Sequence, residues 1–298
     1  MKIESPNGTA YNFKIGADPE FFVCKDGRPV SAYGLIPGTK DRPYKVPMGA
    51  VQVDGMALEF NIDPADSFTE FDNHMDRVLS AIIKMVPGYE VLVESAVMGG
   101  QQVSLPSSVA EFGEAYISSQ PKEAKELGCM PDYNAYTKQA NPRPNADMPF
   151  RTASGHVHIG WTTEAVDPSD EGHLEACRAL AKSLDVWLGL PSLLWDKDTK
   201  RRELYGQPGA FRPKPYGMEY RVLSNKWITN PLLRKLVYYN TIEAIKMTFN
   251  DPDAGDKKYG HLTAKDTLDK KDGWKESLQY AIQYSGIRAP KWYRENQV

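Results

Sequence analysis

Two hydrophobic periods divide the chain. Residues 11–23, Tyr-Asn-Phe-Lys-Ile-Gly-Ala-Asp-Pro-Glu-Phe-Phe-Val, alternate imperfectly and end in an apolar run, which predicts a strand whose buried face is broken by acids. Lys25-Asp26-Gly27-Arg28 is a hairpin turn by its Asp-Gly pair. Residues 34–49 are rich in Gly and Pro and read as loop. Val51 to Ile62 reads as two short strands around Asp54-Gly55. The period then lengthens: Phe68, Phe71, Met75, Val78, Leu79, Ile82, Ile83 and Val86 recur at three- and four-residue steps, predicting an amphipathic helix capped by Asp66 or Ser67 and stopped by Pro87-Gly88. Tyr89–Val97 is a strand candidate. Residues 106–150 are polar and Pro-rich with weak periodicity, a long excursion between strands. Val157–Trp161 reads as a strand, 172–188 as a helix, and 196–217 as a basic loop. Met218–Leu223 reads as a short strand and Asn230-Pro231 to about Phe249 as a third long helix. Residues 250–272 are charged, and a last helix is predicted over 274–284. Hairpin-linked strands interleaved with long helices predict an α+β fold, a mainly antiparallel sheet with helices on one face.

Composition narrows the class. The chain has 298 residues, 41% hydrophobic and 25% charged, near globular averages, so wholesale disorder is excluded. Its net charge of −3 gives no broad footprint for a nucleic-acid backbone. Cys24, Cys129 and Cys177 are odd in number and scattered, which argues against a disulfide framework or a thiolate zinc site and fits a reducing compartment. No apolar run approaches the ~18 residues of a membrane span, and Met1-Lys2-Ile3-Glu4 lacks the apolar segment of a secretory signal. A soluble protein of the cytoplasm is expected.

Four segments carry chemistry. Asp18 and Glu20 lie two apart on a predicted strand and share a face, where like charges repel unless a cation lies between them. Glu59 sits between Leu58 and Phe60, an apolar setting that demands compensation for its charge, while Asp54 is more economically a turn residue. His156 and His158 share a strand face and can ligate a metal or meet an anion. Arg201, Arg202, Arg212 and Lys214 occupy the basic loop, and Glu219 and Arg221 share a face of the strand after it; loop arginines suit bidentate phosphate or carboxylate recognition. Taken singly, each segment also fits a structural role: a solvated strand face, a turn, core histidines, a solvated or nucleic-acid-binding loop. Taken together, acids plus His make an oxygen-rich site for Mg²⁺ or Mn²⁺ beside phosphate-binding arginines. Neither GxxxxGK[ST] nor GxGxxG occurs, which disfavours P-loop NTPases, protein kinases and Rossmann dehydrogenases.

Gly16-Ala17-Asp18-Pro19-Glu20-Phe21-Phe22 resembles the G-P-E-P-E-F-F strand of glutamine synthetase, Ser154-Gly155-His156-Val157-His158 its H-x-H strand, and Met218-Glu219-Tyr220-Arg221 its late E-x-R strand. With Arg201-Arg202, Tyr205-Gly206 and Phe211-Arg212-Pro213-Lys214-Pro215-Tyr216-Gly217, the set resembles the phage-associated amidoligases. These are carboxylate–amine ligases of the glutamine synthetase and glutamate–cysteine ligase superfamily. The resemblance spans about residues 14–245 and implies one catalytic domain of glutamine synthetase-like fold, a curved sheet with helices on its outer face, followed by a helical extension over 246–298. It implies that Asp18, Glu20, Glu59, His156 and Glu219 hold Mg²⁺ or Mn²⁺. It implies that His158, Arg201, Arg202 and Lys214 bind ATP or substrate, and that Arg221, Arg212 and Glu59 serve catalysis. The role of Asp54 stays open.

The implied reaction joins a small-molecule or peptide carboxylate to an amine through an acyl phosphate, without a membrane, and with nucleic acid involved only as a modified base. A phage-encoded chain would act in the bacterial host's cytoplasm. Two other readings are a guanido-kinase-type phosphotransferase on the same scaffold and a non-catalytic virion-associated protein. Residues 106–150, between two site strands, are expected to cover the site.

Overall fold

A computed structural model describes residues 2–4, 10–98, 101–125, 132–142, 148–196 and 198–250. The charged stretch and last helix expected beyond residue 250, and with them the C-terminal extension past its first five residues, lie outside the described residues, as does Cys129; Cys24 and Cys177 are buried and unbridged.

The fold is α+β. Its centre is an eight-stranded sheet of β1 (Lys14–Phe21), β2 (Tyr44–Val46), β3 (Gly49–Asp54), β4 (Ala57–Ile62), β5 (Tyr133–Asn134), β6 (Gly155–Gly160), β7 (Ala210–Lys214) and β8 (Gly217–Tyr220). The spatial order is β5-β7-β8-β6-β1-β4-β3-β2, and every neighbouring pair is antiparallel.

The two-residue period sorts side chains between the faces. Ile15, Ala17 and Phe21 of β1, Leu58 and Phe60 of β4, Val157 and Ile159 of β6, and Met218 and Tyr220 of β8 all enter one buried core. That core is closed by α1 (Phe68–Met85), α2 (Glu171–Leu184) and α3 (Pro231–Asn250). The helical stripe of α1 supplies Phe71, Met75, Val78 and Ile82, each fully buried; such a side chain contributes about 1.5–3 kcal/mol relative to exposure. The intervening polar residues of the strands are left on the other face.

Caps fix where the helices start. Ser67, not Asp66, caps α1: its hydroxyl accepts from the Glu70 N–H, and the Glu70 carboxylate accepts from the Asp66 N–H. Asp170 caps α2 by accepting from the His173 N–H. Asn230 caps α3, with Pro231 at the first helical position. The α2 pattern does not end as a regular helix. It widens into a π turn over Asp185–Gly189, where buried Asp185 accepts from the hydroxyls of Tyr136 (2.9 Å) and Tyr220 (2.6 Å).

Two loops predicted from composition contain regular structure. Within 106–150 lie strand Val109–Glu111, paired with Phe150–Thr152, two short helices (Glu114–Ser119 and Lys122–Lys125) and β5. These elements are too short to show a period. Residues 126–131 and 143–147 lie outside the described residues. Within 196–217 lies β7, disguised by Pro213 and Pro215. Pro213 faces Met218 beyond the end of two-residue β5, so its missing N–H leaves no ladder bond broken. Arg212 and Lys214 are therefore strand residues, not loop residues.

Candidate active site

The register of the sheet builds the site. Glu20 of β1 lies opposite Glu59 of β4, and Glu59 opposite Gln52 of β3. Asp18 lies opposite His156 of β6; His158 lies opposite Glu219 of β8, and Glu219 opposite Arg212 of β7. Directly opposed side chains on an antiparallel pair are within contact distance, so six strands present one continuous polar row. Glu20 and Glu219 are on the same face, as the spacing predicted.

The row divides into two groups. In the first, ligand atoms of Asp18, His158 and Glu219 all lie within 4.8 Å of one another. His158 Nε2 is 3.0 Å from Asp18 Oδ1, and His156 Nδ1 is 3.3 Å from both Asp18 Oδ1 and Glu219 Oε1. Glu219 is fully buried and held by Lys214 Nζ at 2.7 Å, Arg212 Nη1 at 3.6 Å and an ion pair with Arg221. Burial alone would raise its pKa; Arg221 and the two histidines overcome that and hold it well below the usual carboxylate range. Asp18 is likewise held low against burial, chiefly by His158. Burial, then the Arg221 charge, pushes His156 down, against the pull of Asp18 and Glu219.

In the second group, carboxylate oxygens of Glu20, Asp54 and Glu59 lie within 4.8 Å of one another. Their donors are few. Gln52 Nε2 donates to Glu59 (2.6 Å), the Ser154 N–H donates to Glu20 (2.9 Å), and Lys40 Nζ meets Asp54 at 2.8 Å. Burial and the Asp54 charge push Glu20 up to about 8 and Glu59 well above its ordinary value.

This chemistry fits a divalent cation. Three converging carboxylates with too little positive charge around them bind either protons or a metal, and an oxygen set selects Mg²⁺ or Mn²⁺.

Two cavities meet at the row, one toward each end of the strands. The smaller, about 290 Å³, runs from Asp18 toward Phe22 and includes Arg151, Tyr205, Arg212, Lys214 and Arg221 in its wall. The larger, about 670 Å³, runs from Asp18 toward Lys14 and includes Asn61, His158 and Tyr216, whose hydroxyl bonds His158 Nδ1. Asp18, Gln52 and Glu59 belong to both.

Residues 148–248 match the model of the phage phiEco32-like COOH.NH2 ligase-type 2 family. No curated protein matches the chain. The stretch that matches this ligase family carries both histidines, the basic segment, Glu219 and Arg221. Asp18, Glu20 and Glu59 precede it in sequence and are carried to it by the sheet.

The structure separates the expected site residues. Asp18, Glu20, Glu59, His156, His158, Arg212, Lys214, Glu219 and Arg221 converge. His158, expected at a phosphate, shares the first acid group, while His156 lies between that group and Arg221. Arg201 is corrected: it is fully buried and its guanidinium donates to the carbonyls of Ala153 (3.1 Å), Val222 (2.8 Å) and Leu223 (2.8 Å) and to Ser154 Oγ (2.9 Å). Four of its five N–H bonds are thus spent inside the fold, away from both cavities. Gly206, at φ +76°, makes room for it; a Cβ there would stand 2.0 Å from Arg201 Nη1. Arg202 is corrected as well: it lies outside both cavity walls, with Asp196 at 3.9 Å.

Several site residues escaped the sequence reading. Asp132, 9% exposed, holds Arg221 Nε at 2.6 Å and Arg212 Nη2 at 3.3 Å, an acid distant in sequence from both. Asp54 ends β3 at its turn and also joins the acids. Gln52-x-Asp54 has the same two-residue spacing as Asp18-x-Glu20, a signal that was present. Lys40, Arg151 and Asp132 lie in segments without one.

Proposed function

We propose that the protein is an ATP- and Mg²⁺-dependent carboxylate–amine ligase that forms an amide through an acyl phosphate. The observation that carries this reading is the arrangement of the polar row. Uncompensated carboxylates stand beside Arg212, Lys214 and Arg221, with a cavity at each end, in a chain whose residues 148–248 match a COOH.NH2 ligase family.

Glu20, Asp54 and Glu59, and Asp18, His158 and Glu219, would hold the cations, whose charge would screen the phosphate oxygens. The larger cavity suits the nucleotide, its phosphates directed at the row beside His158. The smaller cavity suits the carboxylate substrate, with Arg151, Arg212 and Arg221 in its wall. The substrate carboxylate attacks the γ-phosphorus and ADP leaves. Charge spreads over the transferring phosphoryl group in that step, and Arg221, fixed on Glu219 and Asp132, offers a rigid fork to it. An amine then displaces phosphate from the acyl carbon. Neither step needs a protein nucleophile. Holding both partners at the row supplies the rate by orientation and charge. Use of ATP fits a cytoplasmic setting.

The test is product analysis. Protein, ATP and Mg²⁺ are incubated with pools of carboxylates and amines and followed by mass spectrometry, with hydroxylamine as a trap. ADP, phosphate and an amide or hydroxamate are expected. A stable phosphorylated product would replace this reading with the phosphotransferase, and absence of Mg²⁺-dependent ATP binding would remove both.

A further inference from the structure

A third cavity, of about 530 Å³, adjoins the smaller site cavity on the far side of the Lys40–Asp54 ion pair. Lys40, Asp54 and Gly55 form the partition and belong to both walls. The two spaces differ in charge. The site cavity has Lys40, Arg151, Arg212, Lys214 and Arg221 against four carboxylates. The third cavity has three carboxylates, Asp41, Asp54 and Glu123, against Lys40 alone. Lys40 is already committed to Asp54 at 2.8 Å, and Asp41 and Glu123 make no ion pair among the described residues. Its remaining walls include Ile36, Val53 and the half-exposed ring of Tyr33.

A space of this size holds a small molecule rather than a water cluster. Its charge repels the anions that the neighbouring cavity attracts. Its apolar and aromatic walls suit an alkyl chain, and an aromatic face adds attraction for a cation. Only Lys40, Asp54 and Gly55 separate it from the acids where an acyl group would be activated. We propose that this cavity receives the second substrate as a primary alkylammonium, an aliphatic chain bearing a terminal cationic nitrogen. The proposal rests on the ligase reading.

In the joining step the amine nitrogen attacks the acyl carbon. The C–N bond forms, the C–O bond to phosphate breaks, and the phosphate leaves with the electron pair. Of the ammonium's three protons, one stays on the amide, one leaves on the hydrogen phosphate and one passes to solvent. The cavity's part is to select the cation and aim its nitrogen across the Lys40–Asp54 partition.

The experiment is calorimetric titration of the full chain, in excess Mg²⁺, with pentane-1,5-diamine, and with glutarate as the probe of equal length and opposite charge. The double variant Asp41→Asn/Glu123→Gln changes charge at two exposed positions without changing shape. Saturable diamine binding, weakened by about tenfold or more in the variant, is expected. Tyr33→Ala should weaken it too, with an unchanged melting temperature. Absence of diamine binding, equal affinity in wild type and double variant, or equal binding of glutarate would overturn the proposal. Mg²⁺-ATP titrated into the same protein keeps the two ideas apart. ATP binding without diamine binding sinks only the amine cavity. Diamine binding without ATP binding sinks the ligase reading, and with it the cavity's role as a substrate site.

Discussion

The two acid groups on the sheet share a face, a spacing and nearly a composition, yet their electrostatics are opposite. Glu219 has its compensation built in: Arg221, Lys214, Arg212 and two histidines surround it, and it stays ionised at full burial. Glu20 and Glu59 have an amide, one backbone N–H and the reach of Lys40, and both are driven toward the protonated form. A carboxylate that brings its own cations is part of the scaffold as well as of the site. One that lacks them is stored repulsion that only a ligand relieves. The same side chain thus plays two roles, decided by which strand faces it.

The sharpest way to break this comparison is to neutralise one acid in each group. Glu219→Gln takes a fully buried carboxylate away from buried Arg221 and from partly buried Arg212 and Lys214, leaving Asp132 alone to hold the two arginines, and should cost about 3 kcal/mol of stability. Glu59→Gln removes repulsion and should raise the Tm of the metal-free protein. Both should lower kcat by about 10²–10³ or more. Thermal melts in EDTA read the sign. If both variants melt lower by the same amount, the two groups are not distinct.

Arg221→Lys comes next. Lysine keeps the charge against Glu219 and loses the fork, so kcat should fall by about 10²–10³ while the fold and much of the ATP affinity persist. A variant that melts early and turns over normally per folded molecule would reduce Arg221 to a structural partner. Asp132→Asn should act through Arg221 and Arg212, lowering kcat by about 10-fold with little change in KM for ATP; residues that orient such groups typically cost 10–100-fold. An equal loss in KM would show that Asp132 shapes binding instead.

A further test concerns pH. The Glu20 carboxyl ionises near its ordinary value of 4.5 when unfolded and at about 8 when folded. Between those values the folded state holds more protons, so the metal-free protein should lose stability as pH rises from about 4.5 to 8 and level off above. Cation binding must displace that proton, so Mn²⁺ affinity should rise across the same window. Titrations of Tm and of Mn²⁺ binding read both slopes. Glu20→Gln should flatten them.

Much of the site was legible because a strand's period of two is strict. Asp18-x-Glu20, His156-x-His158 and Glu219 needed only the strand assignment to be placed on one face, and antiparallel pairing did the rest. What the sequence concealed is what pairing at long range decides. Arg201 and Arg202 read as ligand-binding residues of a basic, Gly- and Pro-rich loop, but the carbonyls that bury Arg201 come from residues 153 and 222–223. Asp132 reaches the arginines from the position just before a two-residue strand, with no pattern to betray it. Pro213 hid β7 because a proline is compatible with a strand only at a position that the partner strand determines. The α1 stripe, by contrast, gave its helix almost to the residue, since eighteen residues repeat the period several times.

Arg201 has a consequence for kinetics. At a pKa of about 10 it keeps its proton at neutral pH despite full burial. Its four donations join the chain just before β6 to the chain just after β8, the two strands that carry the histidines and Glu219. No arginine-selective reagent can reach it until those strand ends part. Its rate of modification by phenylglyoxal, followed by peptide mass mapping, would therefore time the opening of the site's own framework. Exposed arginines such as Arg28 and Arg42 would serve as the internal zero of that clock.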